Sequence, residues 1–226
     1  VIFDEQCTHK LFYWAKDNVS HPTPIHNHTF RVDDESPYLE FDYPDHGHFE
    51  TCPYLDDVYT TAQMPGQCIH HLKCNLPFTV NASDLPDNEC NAGIESIFGR
   101  YVWIDEEEVE HYFPSEPGEN IVDATYLSNE YGYEGEEYDY YWYKIDNDTV
   151  DILFPEECEH HLYLFAKDNV CNPSPITHET YYVDCSEPEM DITYPEHGYY
   201  TVCEEQYLKT GVPITLNAWD LPENEC

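Results

Sequence analysis

Basic residues are scarce in this chain of 226 residues. Lys and Arg together number 8 against 47 Asp and Glu, which gives a formal net charge of −39. Nucleic acids and anionic membrane surfaces are bound by clustered positive charge, so the composition excludes both as partners of this segment. The remaining composition, 41% hydrophobic and 15% aromatic, is too apolar for a disordered chain and predicts a folded core. Such acidic density is typical of proteins that meet calcium, high salt or glycan-rich surfaces.

Long apolar runs and enzyme motifs are also missing. No stretch is long and apolar enough to cross a bilayer, and no signal peptide is present, so no membrane insertion is predicted within this segment. The sequence contains no G-x-S-x-G, no H-E-x-x-H and no glycine-rich phosphate loop. A glycosidase pair cannot be singled out among so many acids. The expectation is therefore that this chain is not an enzyme.

Cysteine is abundant, yet no C-x-x-C pair occurs. Ten cysteines without that spacing are typical of disulfides in an oxidising, extracellular setting, and they fit a zinc or redox site less well. Thirteen histidines show neither haem nor zinc spacing, which favours exposed strand residues over a specific metal site. Four N-x-[ST] sequons agree with an extracellular location and are possible glycosylation sites: Asn18, Asn27, Asn81 and Asn147.

The chain repeats itself. Residues 7–52 align with residues 158–203 at a constant offset of 151, with 20 of 46 positions identical. The offset then falls to 136, where PFTVNASDLPDNEC matches PITLNAWDLPENEC, and the difference is a 15-residue insertion in the first copy. A period this long predicts tandem domains, and the chain begins and ends inside a copy.

Short segments rich in Tyr, Val, Ile, Phe and Thr, separated by Pro, Gly, Asn and Asp, predict an all-β protein. No stretch shows a helical period with caps, so no helix is predicted. The acidic run 105–110 is interpreted as a loop or strand edge. Strands are predicted at His9–Ala15, Pro24–Val32, Ser96–Ile104, Tyr138–Ile145, His160–Ala166 and Pro175–Val183.

The order of these motifs resembles a known family. PITLNAWD, then Cys, then GIES and an aromatic strand, then EECEHHLYLFAKDNV and YYVDCSEP together resemble the immunoglobulin-like (Ig-like) repeats of large secreted archaeal and bacterial surface proteins. The resemblance implies seven-stranded β-sandwiches with structural or adhesive roles. It divides the chain into residues 1–33, the last strands of a preceding repeat; residues 34–184, a complete domain; and residues 185–226, the first strands of a following repeat.

The same topology implies a disulfide pattern. It sets Cys90 after the second strand at one end of the sandwich, and Cys158 before the sixth strand at the other end. The resemblance thus implies interdomain bonds Cys7–Cys90 and Cys158–Cys226, with an intradomain Cys90–Cys158 bond as the open alternative. Pairing within Cys52, Cys68 and Cys74 is also open. No partners are assigned to Cys171, Cys185 and Cys203.

Acidic residues converge on the implied domain junctions. Oxygen ligands from a linker and two loops suit Ca²⁺, which accepts irregular geometry, and the alternative is a solvated acidic surface. The possible calcium ligands are Asp33, Asp34, Asp84, Asp87, Asp168, Asp184 and Asp220.

Two classes of function follow as expectations. The first is a structural segment of an extracellular filament, sheath or surface layer that self-associates and is stiffened by disulfides, with calcium as a candidate second stiffener. The second is an adhesin or stalk module that binds glycans or a protein, with the tyrosine-rich segment Tyr131–Tyr143 stacking on the ligand. Those tyrosines are equally compatible with core and edge positions of an ordinary strand.

Overall fold

The computed structural model of the chain describes residues 1–51, 69–85, 91–105, 108–202 and 205–219, and these residues are mostly β. The strands are β1 (Cys7–Tyr13), β2 (His26–Val32), β3 (Tyr38–Asp42), β4 (His48–Thr51), β5 (Ile69–Lys73), β6 (Phe78–Ser83), β7 (Ile94–Ile104), β8 (Glu110–Phe113), β9 (Ile121–Val122), β10 (Trp142–Ile145), β11 (Thr149–Ile152), β12 (Glu159–Asp168), β13 (Thr177–Asp184), β14 (Glu189–Thr193), β15 (Tyr199–Val202), β16 (Glu205–Leu208) and β17 (Thr215–Trp219). One helix, α1 (Ala124–Tyr131), and a 3-10 turn (Glu136–Tyr138) complete the described elements.

Two sheets share one hydrophobic core. The smaller has the order β11-β6-β3, and the larger has the order β4-β5-β13-β12-β7-β10-β9, with β8 paired to β7. In β6, buried Phe78, Val80 and Ala82 alternate with half-buried residues, as a strand with one face on a core requires. They pack against Leu164 and Tyr181 of the larger sheet in a single buried cluster. Both sheets lie between residues 38 and 184.

The outer face of the larger sheet carries a second core, which contains the helix that the sequence did not predict. Phe165 of β12 packs there against Leu127 of α1 and against Trp142, and all three are fully buried. Asp123 caps the helix by accepting a hydrogen bond from the Tyr126 amide at 2.8 Å. Gly132 ends it with φ +74°. The prediction of no helix was wrong because the helix is short and its hydrophobic contacts come from the sheet beneath it.

The predicted strands are confirmed in type, with one exception. The sequence predicts one strand over residues 138–145, but the 3-10 turn occupies Glu136–Tyr138 and β10 begins only at Trp142. Tyr131, Tyr133 and Tyr138 pack into the second core. Their burial gives the segment a tertiary role that a local strand pattern does not reveal.

The remaining described strands form three two-stranded antiparallel sheets: β1-β2, β14-β17 and β15-β16. They contain large exposed apolar side chains, among them Phe12 and Leu216, which are 62% and 59% exposed. Isolated hairpins bury little surface on their own. In the described part of the chain, no helix is long and apolar enough to span a bilayer.

Candidate metal centre

Three aspartates from distant parts of the sequence meet at one end of the two sheets that share the hydrophobic core. Asp33 follows β2, Asp84 follows β6 and Asp168 is the last residue of β12. One carboxylate oxygen of each lies within 4.8 Å of those of the other two. All three belong to the calcium ligands expected from the sequence, so the fold brings together three residues of that set.

Asp168 is held by the turn that its own sequence forms. Its carboxylate accepts hydrogen bonds from the amides of Val170 at 2.9 Å and Asn172 at 2.7 Å, and from the Asn172 side chain at 2.8 Å. The equivalent residue in the first copy, Asp17, bonds the amides of Val19 and His21 in the same way. The Lys-Asp-Asn turn signal thus fixes an aspartate locally. In the second copy this aspartate is fully buried.

Asp33 connects the chain that follows β2 to this end of the sheets. One of its oxygens accepts the Ala92 amide at 2.6 Å, and the other accepts the Gln6 side chain at 3.1 Å. Its backbone carbonyl accepts the Asn172 side-chain amide at 3.3 Å. The polar contacts therefore fix Asp33 against a loop and a turn of the large sheets.

Asp84 is the member of the cluster with unmet bonding capacity. It is 8% exposed, and one oxygen accepts the Gly93 amide at 2.6 Å. Its other oxygen, Oδ1, is buried and has no hydrogen-bond partner among the described residues. Burial raises the pKa of this carboxyl, and the charges of Asp33 and Asp168 raise it further. Such an arrangement requires either a proton or a bound cation.

The chemistry of the donor set favours a hard cation. Within the described ranges, no Lys, Arg or His forms an ion pair with any of the three aspartates. The neighbouring Lys167 is paired with Glu95 instead. Ca²⁺ takes roughly six to eight oxygen ligands at about 2.3–2.6 Å, including carboxylates and water. Asp33, Asp84 and Asp168 fit part of such a shell.

The other expected calcium ligands are not part of this cluster. Asp34 is exposed beside it. Asp184, the repeat equivalent of Asp33, is also exposed, and its carboxylate accepts the Ser186 amide at 2.8 Å. Asp87 and Asp220 lie outside the described residues. The second junction expected from the sequence therefore stays a prediction.

A disulfide joins two cysteines that the sequence left without a defined partner. Cys74 directly follows β5 and Cys185 directly follows β13, and their Cα atoms are 4.6 Å apart. The two strands are parallel neighbours in which Lys73 pairs with Asp184, so the next residue of each strand meets the other. No local sequence signal could have found this pair, since it depends on a long-range strand register.

The four cysteines of the implied interdomain bonds are only partly described. Cys7 and Cys158 are both disulfide-bonded, while Cys90 and Cys226 lie outside the described residues, as do Cys52, Cys68 and Cys203. The implied pairing stays a prediction. Cys171 is free and exposed.

The possible glycosylation sites differ in accessibility. Asn18, Asn27 and Asn147 are exposed, whereas Asn81 is half-buried in the middle of β6. The Asn81 side chain accepts a hydrogen bond from the Thr149 hydroxyl at 3.1 Å. Three of the four sequons thus present an open side chain.

A groove lined by aromatic side chains lies at the edge of the larger sheet. It measures about 400 Å³. Tyr140 and Tyr141, from the tyrosine-rich segment, line it together with Tyr112 and Phe113 of β8. Arg100 forms part of the lining, with its guanidinium carbon 3.7 Å from the centre of the Tyr140 ring. Part of the tyrosine-rich segment is therefore core, and part is accessible to a ligand.

No protein-family model matches the chain, and no curated protein matches it.

Proposed function

We propose that this chain is a structural repeat segment of an extracellular filament, sheath or surface layer. Its repeats are Ig-like sandwiches, divided near residues 33 and 184, and they self-associate along an array. Calcium and disulfides at the junctions restrict bending between neighbouring repeats. Resistance to extension and to proteolysis, with no substrate turned over, is the activity of such a segment.

The observation that carries this proposal is the Asp33–Asp84–Asp168 cluster. Asp33 belongs to the chain before the large sheets, and the other two belong to the sheets themselves. A cation bound by all three links the chain before β3 to the two sheets. Without the cation, three carboxylates lie within 4.8 Å of one another and repel each other. The buried, unpartnered Asp84 oxygen is a second sign that a ligand belongs there.

Disulfides at the opposite end support the same function. The Cys74–Cys185 bond fixes the point where the chain leaves β13 towards the second repeat. Non-reducing peptide mapping is expected to add Cys7–Cys90 and Cys158–Cys226 to it. A bond between Cys90 and Cys158 would contradict the predicted interdomain bonds. Free thiols at all four positions would argue against an extracellular location.

Electron microscopy of native material tests the proposal as a whole. Antibodies against this chain are expected to decorate ordered polymers, and treatment with a calcium chelator is expected to loosen them. Decoration of isolated molecules alone, unaffected by chelation, would contradict the structural role.

The aromatic groove favours a second candidate function, the binding of glycans. Tyr112, Phe113 and Tyr140 are each 43–44% exposed, and flat rings of this kind stack on the apolar faces of sugars. Glycan-array binding that is lost in Tyr140→Ala and kept in Tyr126→Ala, a tyrosine of α1 outside the groove, would support it. An array without hits would contradict glycan binding, and the structural role would remain as the proposed function.

A further inference from the structure

A second cluster of metal-ligating groups lies at the opposite edge of the larger sheet from the groove. It is built on the β4-β5 hairpin, in which Glu50 stands directly across from His70 and His48 lies two residues away along β4. Side chains two apart in a strand share a face, so these three side chains point to the same side. One ligand atom of each lies within 4.8 Å of those of the other two.

The nitrogen atoms face one another at a distance that suits a shared metal ion. His48 Nε2 lies 3.1 Å from His70 Nδ1, and Glu50 Oε1 lies 3.5 Å from the same nitrogen. Ligands at about 2.0–2.2 Å from a tetrahedral zinc ion are roughly 3.3 Å apart, which is close to both distances. A small rotation of each side chain suffices to complete the site.

The other nitrogen of His70 has the partner that a metal-bound histidine requires. His70 Nε2 lies 3.5 Å from the carboxylate of Glu179, in the adjacent strand β13. A carboxylate near Nε2 favours a proton on that nitrogen, which leaves the lone pair on Nδ1 for the metal position. His70 itself is 6% exposed, so its ring orientation is fixed by packing as well.

Stacking holds both rings in place. The Tyr43 ring lies 4.0 Å from the ring of His48 and 4.9 Å from that of His70, measured between ring centres. Buried Tyr181 packs against His70 from the next strand. The two imidazoles are therefore positioned before any ligand binds, which lowers the entropic cost of forming a site.

The second copy of the repeat forms the equivalent strand pair without histidines. It has the same hairpin, with Thr201 across from Gln206 in place of Glu50 across from His70. Tyr199 replaces His48 there and stacks on Tyr194 at 4.1 Å. The hairpin therefore forms with an aromatic ring and two neutral side chains. Only the first copy carries ligating groups at all three positions.

We propose that His48, His70 and Glu50 bind one Zn²⁺ ion, with Glu179 orienting His70. Two histidines and one glutamate leave a fourth coordination position for water. Solvent reaches the site on the side of Glu50, whose side chain is 44% exposed. The sequence shows no zinc spacing because the three ligands come together only through the pairing of β4 with β5. The site is independent of the aspartate cluster, since its ligands are nitrogen-rich and suit a softer ion.

Zinc titration of the full chain tests the proposal. The chain carries Cys171→Ser to remove the thiol of that residue. It is stripped with a chelator and dialysed into excess Ca²⁺ to saturate carboxylate sites. Calorimetry is expected to show one Zn²⁺ per chain. Co²⁺ is expected to give the visible absorption of a four-coordinate site, without the near-ultraviolet band of thiolate ligands.

Variants copied from the second repeat keep the fold while removing the ligands. His48→Tyr and Glu50→Thr reproduce residues 199 and 201, and each is expected to abolish stoichiometric zinc binding. Glu179→Gln is expected to weaken it roughly 10–100-fold, because it removes only the orienting carboxylate. His71→Gln is the matched control, since this neighbouring histidine stacks on Phe49 and Tyr182 on the other side of β5.

Two results would overturn the proposal. One is the failure of the unsubstituted chain to bind zinc stoichiometrically. The other is wild-type affinity in both His48→Tyr and Glu50→Thr, which would assign the zinc to other histidines.

Discussion

Cys74 and Cys185 are bonded across 111 residues of sequence, because the parallel strands β5 and β13 end side by side. The Cys74 amide also donates to the Asp184 carbonyl at 2.8 Å, so the backbone ladder continues up to the disulfide. The bond thus locks the register of the one parallel strand pair in the larger sheet, among the strands that the structure describes.

Removing this disulfide is expected to cost substantial stability. In the double variant Cys74→Ser/Cys185→Ser, the unfolded chain regains the freedom of a loop of 111 residues, which chain-entropy estimates value at about 4–5 kcal/mol. The free energy of unfolding is measured by urea titration. Cys171→Ser is the control: its repeat equivalent is Ser20, and the two residues have φ +75° and +77°. A loss of similar size in the control would show that the effect is not specific to the disulfide.

Calcium is expected to stabilise the chain through the aspartate cluster. At a concentration a hundredfold above the dissociation constant, a ligand specific for the folded state adds about 2.7 kcal/mol. Asp168→Asn keeps the two backbone hydrogen bonds of the turn through its amide oxygen, but it removes one charge from the cluster and the hydrogen bond from the Asn172 side chain. The variant is expected to lose the calcium-dependent rise in melting temperature.

Asp17→Asn provides the matched control for this experiment. Asp17 makes the same turn in the first copy, but its side chain is 51% exposed. The control is expected to respond to calcium as the unsubstituted chain does. Equal loss of the calcium response in both variants would remove the cluster as its cause.

Stability is expected to fall on acidification because of His160. The ring is fully buried, and its Nε2 lies 3.1 Å from the Glu156 carbonyl, to which it donates. Burial lowers the pKa of this imidazole from 6.5 to about 4. Below pH 6.5 the His160 imidazole is protonated in the unfolded chain and stays neutral in the folded chain. The free energy of unfolding therefore decreases as the pH falls towards 4. The full effect is on the order of 3 kcal/mol.

His160→Phe removes the titrating group and keeps the ring that stacks on Phe154. Unfolding by urea at a series of pH values is expected to show a shallower pH dependence in this variant between 6.5 and 4. His9, the repeat equivalent, makes the same contact with the Glu5 carbonyl at 2.6 Å but is only partly buried. His9→Phe is the matched control for replacing the ring at the equivalent position, and an unchanged slope in His160→Phe would contradict the assignment.

Arg100 is expected to stabilise the second core through its planar cation. Its guanidinium carbon lies 3.7 Å from the Tyr140 ring centre and 4.1 Å from that of Tyr163. Arg100→Met keeps the apolar stem and removes the cation–π contacts, at an expected cost of about 1–2 kcal/mol in the free energy of unfolding. Arg31→Met, at an exposed position of β2, is expected to change it by less than about 0.5 kcal/mol. Equal effects would contradict a specific role for the Arg100 contacts.

The sequence alone determined the β class, the repeat, and most strand positions. These features are local, because alternation of apolar residues and turn residues such as Asp168 act over a few positions. The topology implied by the family resemblance also predicted that Asp33, Asp84 and Asp168 would converge, since it placed the strands that they follow or end at one junction. That part of the candidate site follows from the order of the motifs along the chain.

Only the tertiary structure decided the remaining features. Helix α1 has little helical signal of its own, and its burial against Phe165 depends on a sheet assembled from distant strands. The Cys74–Cys185 bond and the His48–Glu50–His70 cluster follow from the register of β4, β5 and β13. Register is a long-range property, set by which faces meet in the core. A shift of one residue in β5 would turn His70 to the opposite face and exchange it for His71.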